Sequence, residues 1–104
     1  MQFEKDLLSF YAPLFKALRE RLLSVEGITE LKKDRITTYH YKGSALCHLR
    51  TVKDGVDIGF LRGAFFTDKF KRLQGQQKRL RVITLTRFEK DMLDYYLQQA
   101  LTQN

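Results

Sequence analysis

Residues 36–61 read ITTYHYKGSALCHLRTVKDGVDIGFL, and this stretch decides the fold. Ile36-Thr37-Thr38-Tyr39-His40-Tyr41 is rich in β-branched and aromatic residues and stops at Lys42-Gly43, as a strand entering a turn does. Residues 45–52 make a second strand candidate. Lys53-Asp54-Gly55 then supplies turn chemistry, Asp-Gly being suited to positive backbone φ in a tight hairpin. Beyond it Val56, Ile58 and Phe60 alternate with Asp57 and Gly59, which sets the three apolar side chains on one face. Turns this short leave no room for the crossover that parallel neighbours need, so the strands are expected to run antiparallel.

Upstream of the strands, Phe3, Leu7, Phe10, Tyr11, Leu14, Phe15, Leu18, Leu22 and Val25 recur every three or four residues, the period of a helix with one buried face. Pro13 disfavours helix at Ala12 and suits a first helical turn, so the pattern predicts a short helix followed by a longer one over 13–25. Glu26-Gly27 is a helix stop. The polar run 30–35 reads as a lead into the sheet.

Downstream, Arg62-Gly63-Ala64-Phe65-Phe66 reads as a turn with an apolar plug, and residues 67–73 as a short helix capped by Thr67 or Asp68. Residues 80–85 form a last strand. Leu80 and Val82 oppose Arg81, Ile83 and Leu85, and apolar groups on both faces suggest a central position. Thr86-Arg87-Phe88-Glu89 has capping-box spacing, and the helix after it carries the stripe Phe88, Met92, Leu93, Tyr96, Leu97, Ala100 and Leu101. The whole order predicts one α+β domain over 1–104. It has an antiparallel sheet of about four or five strands packed against N- and C-terminal helices.

At 104 residues, with 43% hydrophobic and 30% charged, the chain has the composition of a single globular domain. No apolar run is long enough to span a membrane. Acidic residues at Glu4 and Asp6 argue against a signal peptide, and a lone Cys47 makes no internal disulfide, so a reducing cytoplasm is the expected compartment.

The net charge of +7 is concentrated in residues 69–87, where Lys69, Lys71, Arg72, Lys78, Arg79, Arg81 and Arg87 stand without an acid. Elsewhere 12 basic residues match 12 acidic ones. A run of one sign attracts polyanions, although keeping a protein soluble is its commoner use. Zinc-finger spacing, ribonucleoprotein motifs and helix-turn-helix patterns are missing. Lys69, Phe70, Lys71, Arg72, Lys78, Arg79, Arg81 and Arg87 are the candidates for sequence-independent nucleic-acid contact, with Phe70 as the stacking ring.

If Leu80 and Val82 face the helices, Arg81 joins Ile83 and Leu85 on the other face, beside Arg62 and Tyr39 or Tyr41. That face is then an anion pocket or a homodimer surface. The turn 75–79 offers backbone amides and cations to a phosphate without the Gly-Lys-Ser/Thr ending of a P-loop.

His40, Cys47 and His48 raise the question of a metal site or a thiol nucleophile. Neighbours on a strand point to opposite faces, and two histidines without a third ligand favour packing roles. No catalytic or cofactor motif is present.

Ile58-Gly59-Phe60-Leu61-Arg62-Gly63, Leu73-Gln74-Gly75 and Lys78-Arg79-Leu80-Arg81-Val82-Ile83, together with Tyr41-Lys42-Gly43 and the final helix, resemble the YdhG-like family of bacterial domains of unknown function. The resemblance spans roughly 13–101 and implies helices packed on an antiparallel sheet. Where members often have Gly-x-Pro-x-Phe, this chain has Arg35-Ile36-Thr37-Thr38-Tyr39, with Thr37 in the Pro position. A frataxin-like iron-carrier role sometimes attached to the family needs clustered carboxylates. The nearest approach to that, Glu89, Asp91 and Asp94, sits beside Lys90 in a basic chain.

The expected function is a non-enzymatic binding or interaction module, with Arg62, Lys78, Arg79 and Arg81 as contacts for an anionic ligand or protein. Nucleic-acid binding by the 69–87 segment is the alternative from another class.

Overall fold

The computed structural model describes residues 1–103. Its elements are α1 (Gln2–Leu7), α2 (Ala12–Leu23), β1 (Ile28–Lys32), β2 (Thr37–Tyr41), β3 (Ser44–Val52), β4 (Gly55–Phe60), a 3₁₀ turn (Gly63–Phe65), β5 (Arg81–Leu85) and α3 (Lys90–Gln103). The five strands form one antiparallel sheet in chain order, β1-β2-β3-β4-β5, and the helices share one face of it. This is the α+β architecture expected. Among the described residues no helix is long and apolar enough to cross a membrane.

The first turn of the meander is local chemistry. Lys42 and Gly43 both take left-handed φ, 51° and 81°, and so match the twist of β2 and β3. The second turn closes the tight hairpin expected, with Val52 pairing Gly55, but by other backbone angles. Lys53 and Asp54 keep negative φ, and Gly55 opens β4 instead, where a Cβ would lie 2.3 Å from the Leu85 carbonyl oxygen. Its bare backbone lets the start of β4 approach β5.

Alternation in β4 sends Val56, Ile58 and Phe60 inward as the sequence predicts. They meet Phe15, Leu18 and Leu22 of α2 and Met92, Leu93, Tyr96 and Leu97 of α3 in one core. A bulge in β3 interrupts its pairing with β2: Tyr39 faces Cys47 and His40 faces Ala45, leaving Leu46 as the extra residue. The bulge explains why adjacent Leu46 and Cys47 are both buried.

Five expectations need correction. The polar run 30–35 is not merely a lead-in, because β1 occupies its first half. Its inward positions Glu30 and Lys32 are charged, one paired with Arg19 and the other lying 4.0 Å over the Phe3 ring, so the usual apolar alternation is lost. Phe10 is 90% exposed, because the break between α1 and α2 resets the helical phase and turns the ring outward.

Strand β5 lies at an edge, with Ile83 and Leu85 inward and Val82 outward, the reverse of the assigned faces. Its outer edge is closed by paired backbone bonds between Gln74 and Val82, 2.9 and 2.8 Å. Residues 67–73 form turns rather than a helix: the Thr67 amide donates to Gln99 Oε1 at 2.8 Å, and Lys71 takes φ 54°. Finally, α3 starts at Lys90, so Thr86 stands too far back to cap it. Glu89 pairs with Arg72 instead, and Phe88 is 41% exposed outside the core stripe.

Candidate anion groove

Arg62 follows β4 at the point where the chain must leave the sheet. A 3₁₀ turn carries it out, held by Phe65 N–H donating to the Arg62 carbonyl at 3.0 Å and Phe66 N–H to that of Gly63 at 3.1 Å. Gly63 is required by its neighbour, since a Cβ there would stand 2.6 Å from Arg81 Cβ. With that contact free, the turn presses on β5. Ala64 N–H then reaches the Arg79 carbonyl at 2.9 Å and ties the turn to the basic loop.

Two adjoining grooves result, of about 360 and 370 Å³, and Arg62 and Arg79 line both. The first is completed by Phe65 and Gln103. Ser44, Ala45, Leu61, Gln77 and Leu80 complete the second. Arg62 is oriented by its Nη1 donating to the Gln103 carbonyl at 2.8 Å. Among the described residues neither groove is lined by a carboxylate. Two guanidiniums on such walls attract an anion and present forked donors to it.

Of the four anion candidates, the fold thus brings Arg62 and Arg79 together. Lys78 is exposed in the same loop without lining either groove. Arg81 does not project onto the uncovered sheet face. It stands opposite Phe60 on the helix side and curls back, its Nη1 donating to the carbonyls of Leu80, at 2.7 Å, and Gln77. Its role is to fasten the loop that carries Arg79. Tyr39 is fully buried on the helix side, three strands away from Arg81.

The remaining basic residues do not act as one charge. Arg72 is engaged by Glu89 at 3.1 Å. Phe70 leans on Tyr95 and Tyr96 of α3, with centroids 5.3 and 6.2 Å apart, while Lys69 Nζ lies 5.4 Å over the Phe70 ring. Nearby, Tyr96 donates its hydroxyl to Asp68. Burial, then that bond, raises the phenol to about 12. Burial pushes the Asp68 carboxyl up, but Tyr96 and the amides of residues 71–73 outweigh it and hold it below its ordinary value. Lys71 and Arg87 are exposed.

Cys47 faces the core with no exposure, and burial pushes its thiol up, away from the thiolate a nucleophile needs. His48 lies on the opposite face. Burial, then the Arg50 charge, lowers its imidazole against a smaller upward pull from Asp57. His40 Nε2 is 3.2 Å from Thr38 Oγ1 on that same face. Among the described residues no three of His, Cys, Asp or Glu converge as metal ligands would. In the acidic trio, Glu89 is paired with Arg72 and Asp94 with Arg21 and Lys90.

Sequence reasoning missed Phe65 and Gln103. The only local signal for them is the Arg62-Gly63 step, where a glycine after a strand-end arginine marks a close backbone approach. Comparison of the chain with protein-family models, curated proteins and solved structures finds no match.

Proposed function

We propose that the chain is a non-enzymatic, YdhG-like binding module that takes an anionic ligand in the Arg62–Arg79 groove. The observation that carries this reading is the convergence of two arginines, 17 positions apart in sequence, on the same two grooves without an acid among the lining residues. Two other cations of the basic segment are less available. Arg72 has a carboxylate partner, and Arg81 is turned into its own loop.

The test is a titration with pyrophosphate and with a labelled short oligonucleotide at low and near-physiological salt. Binding is expected to weaken with salt. Arg79→Ala should lower the affinity for both probes and reduce the salt slope for the strand by about one. Lys71→Ala and Arg87→Ala should leave both nearly unchanged. Equal losses from all three substitutions would favour the whole 69–87 segment as a nucleic-acid contact, and no loss from Arg79→Ala would remove the groove.

A further inference from the structure

We infer that the anion is the phosphate of a nucleoside phosphate, whose base stacks on Phe65 while Arg62 and Arg79 hold the phosphate; this rests on the groove being an anion site. The argument begins with the pair Phe65-Phe66. Phe66 turns inward onto Phe60, at 5.5 Å between centroids, and anchors the turn in the core. Its neighbour turns outward. Phe65 is 61% exposed, yet its backbone is fixed by the bond to Arg62, so the ring is displayed on a rigid support.

A single exposed phenyl is ordinary on a protein surface. This one lines the same groove as two guanidiniums. A flat apolar ring beside paired cations is the combination that recognises unpaired nucleotides, since each offers a π-face next to a phosphate. Gln103, whose Nε2 donates to the Phe65 carbonyl at 3.5 Å, lines one groove and Gln77 the other, so the walls carry side-chain amides, which both donate and accept. Phe70, the ring singled out by the sequence, already packs against Tyr95 and Tyr96.

The ligand chemistry has two sources, a free nucleotide or an unpaired nucleotide within a strand. Fluorescence anisotropy with labelled oligothymidylate and an abasic strand of equal length separates base from phosphate, and thymidine monophosphate as competitor separates the sources. The base-bearing strand is expected to bind about tenfold tighter than the abasic one. Phe65→Ala should erase that ratio without changing abasic binding, Phe65→Tyr should keep it, and Arg79→Ala should weaken both strands. Competition by the monophosphate at the strand's per-site affinity identifies the free nucleotide, and its failure identifies the strand.

Equal binding of base-bearing and abasic strands, both weakened by Arg79→Ala, overturns the nucleoside while leaving the anion groove standing. No binding of any probe, pyrophosphate included, overturns both. Far-ultraviolet circular dichroism of each variant confirms that the fold is retained.

Discussion

Two neighbouring rows of residues cross the five strands, one on each face of the sheet. The covered row runs Glu30, Tyr39, Cys47, Phe60 and Arg81, and the open row runs Leu31, Thr38, His48, Gly59 and Val82. They share a backbone and differ by one step along each strand. In the covered row the three central side chains are fully buried. The two ends are charged, and each is satisfied nearby.

Glu30 accepts from Arg19 Nε at 2.7 Å, Arg19 Nη2 at 2.9 Å and the Tyr39 hydroxyl at 2.9 Å. Burial pushes the Glu30 carboxyl up, but these bonds outweigh it and hold it below its ordinary value. At the other end Arg81 folds onto its own loop. The open row solves a different problem, with no helix above it. There the His48 ring lies where a Cβ on Gly59 would be, 2.3 Å from its Cε1, and the imidazole covers the strand that lacks a side chain.

The contrast teaches that helix-side positions are set by packing volume and open-side positions by one-to-one fits. The sharpest way to break it is Phe60→Ala. Emptying a fully buried ring is expected to cost about 3–5 kcal/mol. Val82→Ala, in the open row, should cost under about 1 kcal/mol by the same urea midpoints. Similar losses at the two sites would mean that the faces are wrongly distinguished.

Gly59→Ala comes next, at about 1–3 kcal/mol, because the new methyl meets the His48 ring. Adding His48→Ala should recover most of that loss in a double-mutant cycle, and additive losses would show that the ring is not the obstacle. Tyr39→Phe follows, at about 1 kcal/mol, since Glu30 keeps its bonds from Arg19 when the phenol is removed.

The smallest effect is one of pH. His48 has a folded-state value below the ordinary 6.5, so the unfolded chain binds the proton more readily. The corresponding stability is present above 6.5 and is lost as pH falls through the folded-state value. His48→Gln should remove that acid-side slope, as read from thermal midpoints between pH 7 and 5. An unchanged slope would assign it to other groups.

Most of the framework was legible because it depends on nearest neighbours. Lys42-Gly43 declares its hairpin, and β4 and α3 declare their buried faces by period. Most of what failed depended on partners distant in sequence. Strand β1 was hidden because Glu30 and Lys32 point inward to Arg19 and Phe3, and no alternation shows that. The faces of β5 were inverted because apolar residues occur on both, and the Gln74 bridge that closes its edge leaves no trace in sequence.

The candidate site divides in the same way. Arg62 and Arg79 stand out by charge. Phe65 becomes a wall of the groove only because Gly63 lets the turn meet Arg81, a contact across 18 positions.

The meander order carries a kinetic corollary. From β1 to β4 each strand pairs with its chain predecessor through a connection of two to four residues, so zippering encounters little loop-closure entropy. Residues 61–80 then intervene before β5, the longest loop the sheet must close. Arg62 sits at one end of that loop and Arg79 at the other. The groove is therefore expected to form with the last closure of the sheet, and a ligand bridging the two arginines would act as a clasp on the edge that costs most to close.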